Sequence, residues 1–223
     1  MKKLSPLNFQ TLSAPIYHDL MERLISGVYE PGQRLKLNEL AEQTGTSVSP
    51  VREALIRLVA EDSVEMSSLR AFAVPSLSIR CFSQILSIRL VLEGLAVEKA
   101  TENITQLEVE ELSKLHTRFV SAEANHERQE AQSLNRRIHF LIYDRANMPM
   151  LMSSILNLWA KMGPILRVYY SDLIDVRIGA PDHLNLFEAL GAKDSSKAVA
   201  AVQADIIHGC SAIGKYIREL ESL

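Results

Sequence analysis

The sequence contains few of the residues that cross-link small secreted proteins or carry a chain through a membrane. Only two cysteines occur, Cys81 and Cys210, and they are far apart with no C-x-x-C spacing. No apolar run approaches the roughly 18 residues of a membrane-spanning helix. The two N-terminal lysines are followed by no hydrophobic segment of a secretory signal. We therefore expect no membrane partner and a reduced chain in the cytoplasm.

An excess of positive charge is also missing. The 223 residues include 24 Lys and Arg against 27 Asp and Glu, a formal net charge of −3. Residues 1–76 alone hold eight basic and nine acidic side chains, which sum to −1. Because nucleic-acid-binding domains are usually basic, any phosphate contact here must come from a few locally placed cations. The length suits two domains, and the 47% apolar content is that of an ordinary globular chain.

Residues 45–58, GTSVSPVREALIRL, have the pattern of a helix that follows a tight turn. Gly45 favours the turn, and either Ser47 or Ser49 offers a hydroxyl that could cap the helix. Pro50 falls in the first helical turn, where its missing N–H costs nothing. Apolar residues then recur at i, i+3, i+4 spacing. These residues are Ala54, Leu55, Leu58 and Val59.

A short amphipathic helix is predicted just upstream, over Leu37–Thr44. Two short helices joined by a glycine turn are the helix-turn-helix pattern, whose second helix enters the DNA major groove. A further helix is predicted within residues 14–27, and residues 28–35 are predicted as a turn. Short β-like segments at residues 63–66 and 72–74 predict a hairpin. Together these elements predict a winged helix-turn-helix.

The remainder of the chain is predicted to be helical. We expect helices near residues 81–102, 105–125, 128–146, 148–170, 181–191 and 194–222. The predicted fold class is therefore mainly α, with three helices and a hairpin at the N-terminus and an all-α bundle at the C-terminus. We place the two domains at residues 9–77 and 78–223. A bundle of about six helices is large enough to enclose a pocket.

Several polar residues of the second domain fall where a bundle would bury them. Asn135 and His139 are four residues apart, so their side chains point the same way from one helix. His183 begins a later helix. Asp205 lies on an Ala/Val stripe, where an unpaired carboxylate is costly and a cation would be a suitable partner. The alternative is that these groups are structural, as we expect for the isolated histidines. Those histidines are His18, His116 and His126.

The N-terminal motifs resemble the winged-helix signature of the GntR transcription regulators. PG-x-RL, the E-L-A of the first motif helix and P-V-R-E-A-L are all present within residues 27–58. Further on, IRLVLEGLAVEKA resembles the R-x-x-x-E opening helix of the FadR-like (FCD) effector domain. The resemblance extends over residues 14–210. It implies a dimeric DNA-binding regulator that responds to a ligand, and not an enzyme.

The resemblance also implies which residues read DNA. Arg52, in P-V-R-E, is expected in the major groove or on its phosphates, although a surface ion pair with Glu53 or a neighbouring acid is the alternative. The other expected DNA-binding residues are Asn38, Val48, Ser49 and, in the wing, Arg70. Val48 stands where the family usually has arginine, and Ala71 stands where its wing usually has glycine. Val48 could instead touch a thymine methyl group.

In the FCD domain, the resemblance implies a metal site built from an Asp or Asn, a histidine four residues later and two further histidines. Asn135, His139 and His183 match the first three positions. The fourth falls on Asp205, with His208 as the nearest imidazole. Such a mixed nitrogen and oxygen set suits a divalent ion such as Zn, Mn, Fe or Ni.

Arg89 matches the arginine of R-x-x-x-E, which can face the pocket and clamp the carboxylate of an organic acid. The alternative for Arg89 is an i, i+4 ion pair with Glu93. Tyr143 and Arg167 are further candidates for the pocket wall, whereas Trp159 is expected in the core. We therefore expect a homodimeric regulator that reads a pseudo-palindromic operator in double-stranded DNA and binds a small organic acid.

Two other functions compete with this one. A metal held by the same residues could activate water in a hydrolase-like helical protein. Alternatively, the chain could be a DNA-binding regulator with a purely structural metal and no effector.

Overall fold

The computed structural model describes residues 12–67, 71–169 and 180–222. Within these residues, an N-terminal unit of three helices and a small sheet precedes a bundle of six helices. The N-terminal elements are α1 (Ser13–Ile25), β1 (Arg34–Leu35), α2 (Leu37–Thr44), α3 (Val48–Ala60), β2 (Glu65–Met66) and β3 (Phe72–Ala73). The bundle consists of α4 (Ile79–Asn103), α5 (Gln106–Ala124), α6 (Arg128–Asp144), α7 (Pro149–Tyr169), α8 (Ala180–Gly191) and α9 (Ser195–Glu221).

The helix-turn-helix forms where the sequence predicted it. Gly45 ends α2 in the left-handed conformation, at φ 62°, which glycine adopts without steric cost. One face of α3 is buried against α1, and its buried residues are Val51, Ala54, Leu55 and Leu58. Ser47 is the N-cap residue of α3, but its side chain makes no capping hydrogen bond. The predicted hydroxyl cap is therefore missing at this helix.

The predicted hairpin is present, and a third strand joins it. β3 lies between β1 and β2 and is antiparallel to both, with Arg34 opposite Ala73 and Glu65 opposite Ala73 on the other side. The prediction of a turn over residues 28–35 missed β1. A strand of two residues has no periodicity to detect, and β1 forms because a segment almost forty residues away pairs with it.

The six bundle helices lie close to the predicted ranges because their ends carry local signals. The Ser78 side chain accepts a hydrogen bond from the Cys81 amide at the start of α4. Thr105 and Glu108 form a capping box at the start of α5. α4 packs along α9, where the Gln203 side chain donates to the Leu90 carbonyl at 3.1 Å. None of the described helices has the length and apolar character needed to cross a membrane.

The two units meet along α1 and α7. Gly163 of α7 lies so close to α1 that a Cβ atom there would be 1.9 Å from the carbonyl oxygen of Leu24. An ion pair joins Arg136 of α6 to Glu22 of α1, with 2.6 Å between nitrogen and oxygen. The helical bundle is therefore in direct contact with the first helix of the winged-helix unit. This contact places α1 beside the interior of the bundle.

Candidate functional site

The surface that could read DNA is formed by α3 and the start of α2. Arg52 and Ser49 are exposed on α3, and Asn38 is exposed on α2. Arg52 makes no hydrogen bond or ion pair with any residue in the described parts of the chain, so the alternative pair with Glu53 is not formed. Val48 is half-buried and packs against the core. Arg70, predicted in the wing, lies outside the described residues.

A second site lies inside the bundle, where three helices bring together two histidines and an aspartate. The nitrogen and oxygen atoms that His139, His183 and Asp205 would offer to a metal lie within 4.8 Å of one another. His139 Nε2 is 3.1 Å from Asp205 Oδ2, and His183 Nε2 is 3.5 Å from Asp205 Oδ1. All three side chains are buried. Donor atoms around a tetrahedral zinc ion lie roughly 3.4 Å apart, so the two distances to Asp205 fit such an ion.

Two buried atoms near this cluster have unfilled hydrogen-bonding capacity. His183 Nε2 and Asn135 Oδ1 have no hydrogen-bond partner among the described residues. Buried polar atoms nearly always have a hydrogen-bond partner. A metal ion or a polar group of a ligand would be a suitable partner for these two unpaired atoms. Asn135 lies on the same face of α6 as His139. His208 is exposed on α9, and it lies outside the cluster that the structure brings together.

The local electrostatics favour the protonation states in which His183 and Asp205 can bind a metal ion. Burial lowers the pKa of His183 to about 4, which leaves the imidazole neutral near pH 7 with a lone pair available. Burial alone would raise the pKa of Asp205. The hydrogen bond with His139 and the electrostatic interactions of Asp205 with its neighbours outweigh burial, so the pKa of Asp205 is lowered. An ionised aspartate beside a neutral histidine is a combination that metal ions bind.

Contacts behind His139 fix which of its nitrogens faces the cluster. The Tyr143 hydroxyl donates to Glu93 at 2.5 Å and lies 3.0 Å from His139 Nδ1. Since the one hydroxyl proton is given to Glu93, the Tyr143 oxygen accepts from Nδ1–H of His139. His139 then presents Nε2 toward Asp205. Such a partner on the far nitrogen orients a histidine ligand.

Glu93 connects this contact to Arg89. The guanidinium donates to Glu93 from Nε at 2.5 Å and from Nη2 at 3.3 Å. The alternative predicted for Arg89, an ion pair with Glu93, is therefore formed, but it is buried. Burial alone would lower the pKa of Arg89, and the Glu93 charge outweighs burial and raises it. Trp159 donates to Glu93 at 3.1 Å and lies beneath the Arg89 guanidinium, so this core residue also belongs to the network.

His183 has a histidine behind it that the sequence did not connect with the site. His116 Nδ1 lies 3.4 Å from His183 Nδ1, and both rings pack against Phe187. Burial lowers the pKa of His116, and the neutral imidazole can accept a hydrogen bond at Nδ1 from Nδ1–H of His183. The spacing between His116 and His183 is too long in sequence for any local pattern to have linked them.

A cavity of about 480 Å³ opens beside the cluster. The described residues lining it include Asn135, His139, Asp205 and both of the arginines predicted to bind the effector, Arg89 and Arg167. Its volume is in the range that small-molecule sites occupy. The third predicted effector residue, Tyr143, is buried behind His139 and is not among the described lining residues.

The sequence missed other lining residues. They include Gln129, Gln132, Ser133 and Arg136 of α6, Cys210 of α9 and residues 25–28 of the N-terminal unit. Those on α6 extend the face of Asn135 and His139 by one or two turns toward the N-terminus, a spacing that could have indicated them. The residues of the N-terminal unit had no such signal, because they reach the cavity only through the contact of α1 with α7.

Comparison with known proteins assigns both units. Residues 12–74 match the family described as "Bacterial regulatory proteins, gntR family", and residues 84–208 match the FCD domain. The chain belongs to the GntR family. It is a DNA-binding transcription regulator of the FadR-like group, with an FCD domain for effectors.

Individual relatives of this GntR regulator agree with the assignment. It is 37% identical over 186 residues to the HTH-type transcriptional regulator McbR of Escherichia coli K12, covering 82% of this chain and 84% of that one. The solved structure of E. coli McbR/YncC superposes with a TM-score of 0.85 at 33% identity, over 92% of this chain and 98% of that one. An uncharacterized regulator, YdhC of Bacillus subtilis, is 27% identical over 91% of both chains. Since these relatives are transcription regulators, the hydrolase alternative is set aside.

Proposed function

We propose that this GntR regulator is a homodimer that reads a pseudo-palindromic operator and responds to a small carboxylate bound beside a divalent metal ion. Residues 9–77 would contact DNA, and residues 78–223 would bind the effector and form the dimer. The observation that carries the proposal is the cluster of His139, His183 and Asp205, which borders a cavity and contains a buried nitrogen without a partner.

Arg52 supports the DNA-binding part of the proposal because it is exposed and uncommitted on the helix expected in the major groove. Its neighbour Arg57 differs, since it lies 3.6 Å over the Tyr17 ring and pairs with Glu61. The uncapped start of α3 also leaves amide groups available to a phosphate.

Gel shifts on the protein's own promoter region at low salt test this part. Arg52→Ala should remove specific binding, whereas Arg57→Ala removes the same charge from the same helix and should retain it. Equal loss of binding in both variants, or a mild effect of Arg52→Ala, would mean that α3 is not the reading helix.

The donor set suits a divalent ion on chemical grounds. Two imidazole nitrogens, one carboxylate and the Asn135 oxygen are ligands that zinc, manganese, iron and nickel accept. A bound ion would supply a Lewis-acid anchor for one carboxylate of the effector. Tyr143 and His116 would hold the two imidazoles in the required orientation from behind, and Glu93 would hold Tyr143.

Zinc titration of chelator-treated protein, followed by metal analysis, tests the site. We expect one ion per chain at micromolar concentration or below, lost in His183→Ala and retained in the matched variant His126→Ala, whose histidine is exposed. No binding of zinc, manganese, iron or nickel at micromolar level would overturn the metal assignment.

Thermal stability distinguishes a regulator that binds a carboxylate effector from one that holds only a structural metal. A ligand that binds the folded state raises the melting temperature by mass action, by an amount that grows with its concentration. A panel of small carboxylates should therefore include at least one that raises the melting temperature of the zinc-loaded protein. If none does, the structural-metal alternative stands.

Exposed apolar side chains on two helices of the bundle support a dimer. Ile88 and Val91 of α4 and Ile207 of α9 are exposed although α4 and α9 pack side by side. Val91→Glu should give a monomer in light scattering, while Val120→Glu on α5 should leave the dimer intact. The predicted cytoplasmic location follows from DNA binding and stays a prediction.

A further inference from the structure

The cavity is shared between the effector domain and the DNA-binding unit. Residues 25–28, from the end of α1 and the turn after it, form part of its wall together with side chains of α4, α6, α7 and α9. A ligand that fills the cavity therefore meets the DNA-binding unit directly.

Two arginines of this wall, Arg136 and Arg167, also contact the DNA-binding unit. Arg136 Nη1 is 2.6 Å from a Glu22 carboxylate oxygen. Arg167 donates to the Val28 carbonyl at 3.0 Å and to the Gly27 carbonyl at 3.4 Å, and lies 3.4 Å from Glu30. The acidic partners of both arginines are on α1 or the turn after it.

These contacts are exposed enough to be exchanged for others. The Glu22 side chain is 59% exposed and the Glu30 side chain 65%. Ion pairs in water contribute little, because water solvates the separated charges nearly as well. An anion inside the cavity, with less water around it, would be a stronger partner for the same guanidinium groups.

The cavity wall has more positive than negative side chains, and two of the positive ones are Arg136 and Arg167. Its described lining residues include three arginines and a single carboxylate, Asp205. The charge of Arg89 is already balanced by Glu93. The acidic partners of Arg136 and Arg167, Glu22 and Glu30, are by contrast not among the described residues that line the cavity.

A buried hydrogen-bond donor, the side-chain amide of Gln132, lies in the same part of the cavity as Arg136. Gln132 Nε2 is enclosed and has no hydrogen-bond partner among the described residues, and Gln132 lines the cavity one turn before Arg136 on α6. Such a group calls for an acceptor from a ligand. Since α6 rises 1.5 Å per residue, Arg136 lies only roughly 4.5 Å along the axis from His139, within reach of one small molecule.

We propose that Arg136, Arg167 and Gln132 form a second anion subsite of the cavity, whose occupation by a second carboxylate or phosphate of the effector detaches the two arginines from the DNA-binding unit. The inference rests on the proposed carboxylate effector and adds that it carries two anionic groups. The effector then couples to DNA because it binds one of two states better, the state in which the arginines are released.

Three acids test the subsite because they share one end and differ at the other. Lactate, malate and 3-phosphoglycerate have the same 2-hydroxy acid end, and carbon 3 carries hydrogen, carboxylate or phosphate. Titration calorimetry on the zinc-loaded full-length protein should show malate or 3-phosphoglycerate binding at least about tenfold tighter than lactate, as one charge-assisted contact allows. Which of the two binds tighter identifies the second anion.

Variants at the two ends of one ion pair give opposite predictions. Arg136→Gln should reduce the advantage over lactate to about threefold or less. Glu22→Gln should increase the advantage by a few fold, because it removes the competitor for Arg136. An ion pair with a merely structural role would give two variants that behave alike and leave the ratio unchanged.

The outcomes separate this inference from the function on which it rests. If lactate binds and neither diacid gains over it, or if Arg136→Gln leaves the ratio unchanged, the subsite is wrong and the carboxylate effector stands. If no acid of the three binds at millimolar concentration, both proposals fail. Limited proteolysis adds a second readout: malate, unlike lactate, should speed cleavage within residues 75–78, between the units.

Discussion

The two units of this regulator bury very different side chains. Tyrosines aside, Ser63 is the one buried polar side chain of the winged-helix unit among the residues the structure describes. The described part of the helical bundle buries seven. They are Arg89, Glu93, Thr101, His116, His139, His183 and Asp205.

The difference corresponds to where we propose that each unit binds its ligand. The winged helix has an apolar core and exposes Ser49 and Arg52, the residues proposed to contact DNA, so we expect binding and stability to depend on different residues. The bundle encloses the proposed metal site, where the polar groups must satisfy one another. Since an unpaired buried charge is costly, changes at this site should affect stability as well as binding.

The variant with the largest expected effect on stability is Glu93→Gln. Glu93 is fully buried and accepts hydrogen bonds from Arg89, Tyr143 and Trp159. Removing its charge leaves the buried guanidinium unbalanced, so we expect the free energy of unfolding to fall by about 3–5 kcal/mol in chemical denaturation.

Two controls sharpen that result. Glu98→Gln removes a charge of the same kind from an exposed pair with Lys99 and should change stability by less than about 0.5 kcal/mol. Arg89→Met combined with Glu93→Gln removes both charges and should regain part of the loss. A double variant as unstable as Glu93→Gln alone would show that the charge imbalance is not the cause.

The contact between the units gives the next largest effect. At Gly163 a new Cβ would lie 1.9 Å from the backbone oxygen of Leu24. A backbone atom cannot move away by a rotamer change, as a side-chain atom can. Gly163→Ala should therefore cost about 2–3 kcal/mol and expose residues 75–78 to protease.

Gly209 is the matched control for Gly163. It also lies within a helix, and a Cβ there would meet nothing within 4 Å. Gly209→Ala should leave stability unchanged or raise it by up to about 1 kcal/mol, because alanine favours helix. Similar losses in both variants would contradict a close approach specific to Gly163.

The same comparison explains what the sequence could predict. Helices were predictable because their apolar spacing and end residues are local, as at Leu37–Thr44, which the structure reproduces residue for residue. Asn135 and His139 were predictable as a pair because four residues on a helix define one face. Their geometry with Asp205 still needed the packing of α9.

What the sequence missed depends on contacts between distant segments. β1 exists because residues 72–73 pair with it. The role proposed for Arg136 depends on α1 lying against the bundle, and the role proposed for His116 depends on α5 lying beside α8. Gly163 gives no sign in sequence that a backbone oxygen lies opposite it.

Two tyrosines provide the same hydrogen bond in the two units. Tyr143 donates to buried Glu93 and supports His139, whereas Tyr17 donates to half-buried Glu61 at 2.7 Å. Tyr143→Phe should cost about 1–3 kcal/mol, the penalty for leaving buried partners unsatisfied, and should weaken zinc binding about tenfold or more. Unchanged zinc affinity would show that Tyr143 does not position His139.

Tyr17→Phe makes the same change where water can reach the carboxylate, so we expect a loss of only about 0.5–1 kcal/mol and no change in zinc binding. Burial, followed by the hydrogen bond and charge of Glu61, raises the pKa of Tyr17 from 10.0 to about 12. The folded state thus favours the neutral phenol, and its contribution is complete below pH 10 and lost as the pH rises toward 12. Urea unfolding of both proteins at pH 8 and pH 11 should show the gap between them narrowing at the higher pH. A gap that widens would mean that the Tyr17 phenol is not held neutral by the fold.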